Sequence, residues 1–367
     1  MTRACYVVVA MLMANAGPGE GHLRPLAEKN RLNFGVAVQS DWVKNNIDDG
    51  QYRQSILDHF TMIEPENDLK PPAMWKGLDD IDFSKPDYLI DWAKANKLKV
   101  RGHVLVYASD RGYTIPRWLM QMEKDITPEQ AKKILHDYIT TVVGRYKGKI
   151  AMWDVVNEAI DDAPNTRPFN LRDSFWYRKL GTDFLVYAFQ FAHEADPKCH
   201  LYYNDYSVET GGPKTENLLK MVDFLKSKNV PIDGIGLQFH RWAVEVPQPG
   251  DKFHGVLDEI RNRNLKFMMT ELDLSVPIEK AARNDPSYGQ IPANPDDLKQ
   301  QAASYEAFVK MGLSYKNCEG IQLWGMTDGH SWIPDSTQGK RGAALLFDKD
   351  YKPKPAFEAV FKALTGK

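Results

Sequence analysis

The sequence predicts an α/β protein, a single (β/α)8 TIM barrel. Three observations carry this. The chain has 367 residues, more than the ~250 of a plain barrel and within the range of one with insertions. Eight short apolar segments alternate with amphipathic ones, the pattern of parallel strands joined by crossover helices. Several of those segments are almost continuously apolar, as strands covered on both faces are. The competing open, doubly wound sheet requires a Gly-rich dinucleotide turn after an early strand, and the sequence has none. No Pro-, Gly- or Ser-rich linker divides the chain after residue 30, and it contains no internal repeat.

Taken in order, the first element is a leader. The apolar run from Ala4 to Ala14 is too short to span a bilayer. Arg3 precedes it and Ala14-Asn15-Ala16 follows it, which together read as a secretory signal over residues 1–16, the alternative being an ordinary N-terminal strand. The expectation is an exported protein, extracellular or periplasmic, whose barrel domain covers residues 17–367. Removing the leader removes Cys5 and leaves Cys199 and Cys318, too few for a disulfide framework and read as buried free thiols. No clustered Cys/His metal site is present, so neither metal nor cofactor is expected.

Strands are expected at residues 34–38, 60–63, 100–106, 150–156, 201–203, 235–239, 266–270 and 321–324. Helices are expected between them, near 88–96, 184–193, 218–225, 253–260, 298–309 and 355–364. The clearest helix opens at Thr127-Pro128-Glu129-Gln130. Thr127 can cap, Pro128 suits the first turn and Gln130 can close a capping box. Ala131, Ile134, Leu135, Tyr138 and Val142 then form one apolar stripe. Residues 281–295 read as a long loop after the seventh strand.

Composition narrows the partners. A formal charge of −2 gives no electrostatic case for nucleic acid or a membrane surface. Aromatic residues make up 11%, and Trp and Tyr offer flat faces to flat ligands such as sugar rings, as well as filling cores.

A barrel of this kind carries its site at the C-terminal ends of the strands. Glu158 and Glu271 each close a strongly apolar strand, the fourth and the seventh, which face each other over the barrel mouth. Two carboxylates flanking a ligand are the machinery of glycoside hydrolysis. Either glutamate alone reads equally as a helix cap; the pair points to catalysis. Asn157 can hydrogen-bond a sugar hydroxyl, His240 can hold a carboxylate, and Asp273 can orient His240. Glu66, Asn67 and Lys70 form a polar set able to grip hydroxyls, or a solvated loop. His103, Trp324 and Trp332 are further strand-end candidates, and each also has a plain structural reading.

Trp153-Asp154-Val155-Val156-Asn157-Glu158-Ala159 and Thr270-Glu271-Leu272-Asp273 resemble the acid/base and nucleophile signatures of glycoside hydrolase family 10, the endo-1,4-β-xylanases. The likeness continues through Glu66-Asn67-Asp68-Leu69-Lys70, Arg101-Gly102-His103, Tyr203-Asn204-Asp205-Tyr206, Gly236-Leu237-Gln238-Phe239-His240, Trp324-Gly325-Met326-Thr327-Asp328, Ser331-Trp332-Ile333-Pro334 and Leu345-Leu346-Phe347-Asp348. It spans roughly residues 30–365 in order.

The resemblance implies endo-hydrolysis of xylan and xylo-oligosaccharides by a retaining double displacement, in a monomer. Glu271 would be the nucleophile and Glu158 the acid/base, with His240 and Asp273 supporting Glu271. Glu66, Asn67, Lys70, His103 and Gln238 would line the non-reducing side, walled by Trp324 and Trp332, and Tyr206 would face the reducing side. Aryl-glycosidase or cellulase activity on the same barrel is the alternative; a non-catalytic sugar-binding barrel would have lost a carboxylate.

The departures follow the third strand. The family usually has Trp, His and Gln where this chain has Tyr107, Ala108 and Asp110, and Arg111-Gly112-Tyr113 is a short insertion. Tyr107 is expected to keep stacking or hydrogen-bonding beside the cleaved sugar. Asp110 is expected to loosen the wall that excludes larger sugars.

Overall fold

The computed structural model describes residues 21–243, 246–248, 250–278 and 294–366. The expected leader and Cys5 lie outside these residues. So does the expected loop at 281–295, except its last two positions, where Asn294 caps the helix Pro295–Ser314.

Eight strands form the barrel: β1 (Asn33–Val38), β2 (Met62–Pro65), β3 (Lys99–Tyr107), β4 (Met152–Asn157), β5 (His200–Asp205), β6 (Gly234–Leu237), β7 (Lys266–Pro277) and β8 (Cys318–Leu323). Each pairs in parallel with the next. β8 pairs back to β1, with Phe34 opposite Ile321, and the ring closes. Among the described residues no helix is long and apolar enough to cross a membrane.

Every expected strand is found, and the shifts in extent at β2, β6 and β7 have identifiable causes. Phe60 is not in β2; it ends the preceding helix and stacks on Phe34 at 5.3 Å. An apolar run serves a buried helix end as well as a strand. β6 stops at Leu237, because Phe239 takes a left-handed turn with φ +58°. β7 continues seven residues past the expected end. Its extension pairs with the short strands His240–Trp242 and Arg341–Gly342, so its polar residues are used by neighbours and not by solvent.

The helix Pro128–Arg145 carries the full capping box. Thr127 Oγ1 accepts from Gln130 N–H at 3.3 Å, and Gln130 Oε1 accepts from Thr127 N–H at 2.8 Å. Of the expected stripe, Ile134 is only half-buried, and Ile139 and Val143 join the buried face instead. Cys199 is buried and Cys318 half-buried, both as free thiols, and burial holds both well above the ordinary thiol range.

Charged side chains hold the barrel at two levels. Inside it, the fully buried Arg101 guanidinium lies 2.9 Å from Glu64 and also pairs with Asp154. Replacing Arg101 by Ala leaves two buried carboxylates without their cation. A loss of about 3–5 kcal/mol is expected, read from urea unfolding.

At the lower rim, Glu319 of β8 accepts from His200 of β5 at 2.6 Å and Lys266 of β7 at 3.2 Å, and from Tyr202. Burial raises the Glu319 carboxyl, but these hydrogen bonds and charges win and bring it down to about 2. A depressed folded-state value contributes stability above the unfolded value of about 4.3, and that stability is lost as pH falls towards 2. Glu319→Gln is therefore expected to cost about 1–2 kcal/mol at pH 6 and to flatten the acid limb of stability between pH ~4.5 and ~2. Parallel urea titrations across that window check it, and an unchanged slope would contradict the assignment.

Candidate active site

The upper ends of the strands bring the two glutamates into one cleft. Glu158 follows β4 directly. Its backbone turns to φ +52° while its N–H stays bound to Asn204 C=O at 2.9 Å, which swings the side chain towards the barrel axis. Glu271 lies within β7, its N–H held by Gln238 C=O at 3.0 Å.

Both oxygens of Glu271 are occupied. Oε1 accepts from Asn204 Nδ2 at 2.8 Å and Oε2 from His240 Nε2 at 3.0 Å. The other nitrogen of His240 faces Asp273 Oδ2 at 2.8 Å, and the same oxygen accepts from Trp332 Nε1 at 2.9 Å. Burial opposes charge on His240, but Asp273 and Glu271 together hold its pKa well above the usual histidine range. For Glu271, burial pushes upward. The hydrogen bond and charge of His240, the charge of His103 and the hydrogen bond of Asn204 outweigh it, and the carboxyl lies below its ordinary value. Glu271 is thus an anion at neutral pH, buried but fully supported.

Glu158 sits in a different environment. It is half-buried, and its Oε1 alone takes the nearby donors: Tyr107 Oη at 2.7 Å, Gln238 Nε2 at 3.0 Å and Asn157 Nδ2 at 3.4 Å. Two carboxyl groups with different surroundings are what an acid and a nucleophile require.

The cleft holds a cavity of about 470 Å³. Lys70, His103, Tyr107, Asn157, Tyr206, Gln238, Trp324 and Trp332 line it with the two glutamates and His240. His103 is buried, hydrogen-bonded to Asp154 at 2.9 Å, with its ring edge-on to Trp324 at 5.5 Å. Glu64, His103 and Asp154 lie close enough together to resemble a metal-binding group, but Arg101 already supplies their positive charge. Lys214 Nζ lies 3.4 Å over the ring of Tyr206, with the Arg172 guanidinium at 5.9 Å.

Three expected site residues do not line this cavity. Asp273 stands behind His240. Glu66 and Asn67 stand behind Lys70: Lys70 Nζ donates to Asn67 Oδ1 at 2.9 Å, and Asn67 Nδ2 donates to Glu66 Oε1 at 3.2 Å. The expectation for Asp110 is corrected. Its carboxylate turns away from the cleft, accepts from Phe175 N–H at 2.8 Å and pairs with Arg178 at 2.7 Å. It caps the start of a helix, and so does not shape the sugar wall.

Several residues were missed. Arg111, Tyr113 and Ser207 also line the cavity. The first two belong to the turn after the third strand, whose direction the sequence does not carry. Asn204 was inside a quoted motif without a role. Arg172 donates to Glu158 C=O at 2.8 Å and to Tyr206 Oη at 2.7 Å, and no spacing in the sequence announces it. A second cavity of about 510 Å³, beside the helix Pro128–Arg145, is lined largely by apolar side chains such as Leu78, Ile81 and Met122. It contains none of the groups that line the first cavity.

A closed (β/α)8 barrel with two glutamates facing one cleft, one ionised and hydrogen-bonded, the other half-buried among donors, defines a glycoside hydrolase. The family model described as "Glycosyl hydrolase family 10" matches residues 22–363, and the chain belongs to that family. Endo-1,4-beta-xylanase B of Thermotoga neapolitana is 32% identical over 356 residues, 97% of this chain and 95% of that protein. Endo-1,4-beta-xylanase A of Caldicellulosiruptor sp. (strain Rt8B.4) is 37% identical over 338 residues, 90% of this chain; the chain spans 46% of that longer relative. The crystal structure of xylanase 10B from Thermotoga petrophila RKU-1 in complex with xylobiose is 31% identical, with a TM-score of 0.83 over 96% of this chain and 99% of that one.

Proposed function

We propose that this chain hydrolyses internal β-1,4-xylosidic linkages of xylan and xylo-oligosaccharides with retention of configuration, Glu271 attacking and Glu158 acting as acid/base. The observation that carries it is the support of Glu271 by His240 and Asn204, opposite Glu158, in a chain of glycosyl hydrolase family 10. In the first step Glu271 bonds to the anomeric carbon as the glycosidic oxygen leaves with the proton of Glu158. In the second, water replaces Glu271 and gives its proton to Glu158. Trp324 and Trp332 stack sugar rings, Lys70 and Gln238 meet ring hydroxyls on the non-reducing side, and Tyr206 meets the reducing side.

The test is a time course on xylan. A ladder of oligosaccharides that shortens with time, with the β-anomer formed first by NMR, is expected. A single small product from the outset, or an inverted first product, would contradict the reading. The two carboxyl groups should lie ~5–5.5 Å apart in a substrate complex, the spacing of retaining enzymes. In this reading the enzyme is an exported monomer without nucleic-acid or membrane partners. The apolar run Ala4–Ala14 between Arg3 and Ala14-Asn15-Ala16 supports export, and a net charge of −2 gives no electrostatic case for nucleic acid or a membrane surface.

Xylan should be strongly preferred over cellulose, whose sugars each add a hydroxymethyl group. A close wall rejects that group, and Trp324, which is 9% exposed with Lys70 5.8 Å above its ring, is such a wall. Asp110, held by Phe175 N–H and Arg178, does not loosen it. kcat/KM on an aryl xylobioside should exceed that on the matched cellobioside by at least ~10-fold, and a ratio near one would overturn the specificity.

A further inference from the structure

We infer that Tyr107 is a positioning residue for the acid/base, reserving one oxygen of Glu158 for the protein and leaving the other to carry the catalytic proton. This rests on the functional reading above.

The geometry is asymmetric. Oε1 of Glu158 receives Tyr107 O–H at 2.7 Å, Gln238 N–H at 3.0 Å and Asn157 N–H at 3.4 Å. A carboxyl oxygen offers two lone pairs, so an oxygen already facing three donors has no place for a hydrogen of its own. Among the described residues no side chain donates to Oε2 within hydrogen-bond distance. The acid form therefore carries its hydrogen on Oε2, and Oε1 acts as the fixed end about which the group is aimed. As the C1–O bond breaks and the bond from Glu271 to C1 forms, the Oε2 hydrogen passes to the leaving oxygen. In the return step a water O–H proton goes back to Oε2 as the water oxygen bonds to C1 and Glu271 departs. Oε1 keeps its donors throughout.

Tyr107 suits this task. It is the last residue of β3 and lies in register with Asn157, so strand pairing sets its ring beside Glu158. It is 7% exposed, and Tyr113 from the insertion packs edge-on against it at 6.1 Å. Burial and the charge of Glu158 keep the phenol from ionising, so it remains a donor in both states of Glu158. Its hydroxyl is the shortest of the three bonds and comes from a position where the family usually has Trp.

The test compares wild type, Tyr107→Phe and Tyr107→Trp on aryl xylobiosides of increasing leaving-group pKa and on a xylo-oligosaccharide. A well-protonated leaving group matters most where the leaving group is poor. Tyr107→Phe should stay within about threefold of wild type on the dinitrophenyl substrate. It should be slower by roughly tenfold or more on the oligosaccharide, so that log kcat/KM falls more steeply with leaving-group pKa. Tyr107→Trp, which returns an N–H donor, should bring the slope back. A slope unchanged in Tyr107→Phe, whether both substrates lose equally or neither does, overturns the inference, since a packing role would produce no slope. Unfolding midpoints of the variants separate this from loss of fold. A wild-type chain inactive on every β-xyloside would instead refute the functional reading itself.

Discussion

Replacing Glu271 by glycine is expected to lower turnover of xylan by at least ~10⁴-fold, about 5.5 kcal/mol of transition-state stabilisation. The covalent step is lost outright, because no other carboxylate described in the cleft is held towards the same position. Asn204 and His240 would remain, the latter still anchored by Asp273 at 2.8 Å, so a small anion can enter the space left behind. Azide should restore part of the activity on an activated aryl glycoside and give an α-glycosyl azide. A variant that keeps more than a few per cent of wild-type activity without azide would show that Glu271 is not the nucleophile.

Glu158→Ala is expected to split substrates by their leaving groups. Xylan and unactivated oligosaccharides need the proton and should lose ~10²–10⁴-fold, the usual worth of general acid catalysis. A dinitrophenyl xylobioside needs no proton to depart, so its first step should stay within about tenfold of wild type. The second step then lacks its base, and a burst followed by slow turnover should appear. Azide attacks without a base and should relieve that slow phase, this time as a β-glycosyl azide. Equal losses in Glu158→Ala and Glu271→Gly on the activated substrate would mean that the two roles are wrongly divided.

The barrel and the meeting of Glu158 and Glu271 at its mouth were readable in the sequence because both depend on local pattern. Eight apolar runs mark eight strands, and a glutamate that ends such a run must stand at the barrel mouth. His240 and Asp273 were readable for the same reason. What sequence did not carry is direction beyond the strand ends. Asp110 was placed near the sugar wall, yet Arg178 and the Phe175 N–H, both more than sixty residues away, turn it outward. Arg172 reaches Glu158 C=O from an irregular segment that has no period to read. The extension of β7 depends on pairing with His240–Trp242, a strand only three residues long. In each case a contact distant in sequence decides the outcome.

One carboxylate oxygen, Asp273 Oδ2, receives both His240 and Trp332. For anyone diversifying this enzyme, that makes Trp332 a poor target. In the proposed reading a library there alters sugar stacking and the imidazole that supports Glu271 together, so gains in selectivity will arrive tied to losses in rate. The turn bearing Arg111 and Tyr113 behaves differently. It is pinned by its own backbone, with Arg111 C=O accepting from Thr114 N–H and Thr114 Oγ1, while both side chains point into the cleft. Substitutions at Arg111 touch neither catalytic glutamate directly. Arg111, unlike Tyr113, which packs against Tyr107, is where the chain can acquire new preferences with least damage to its chemistry.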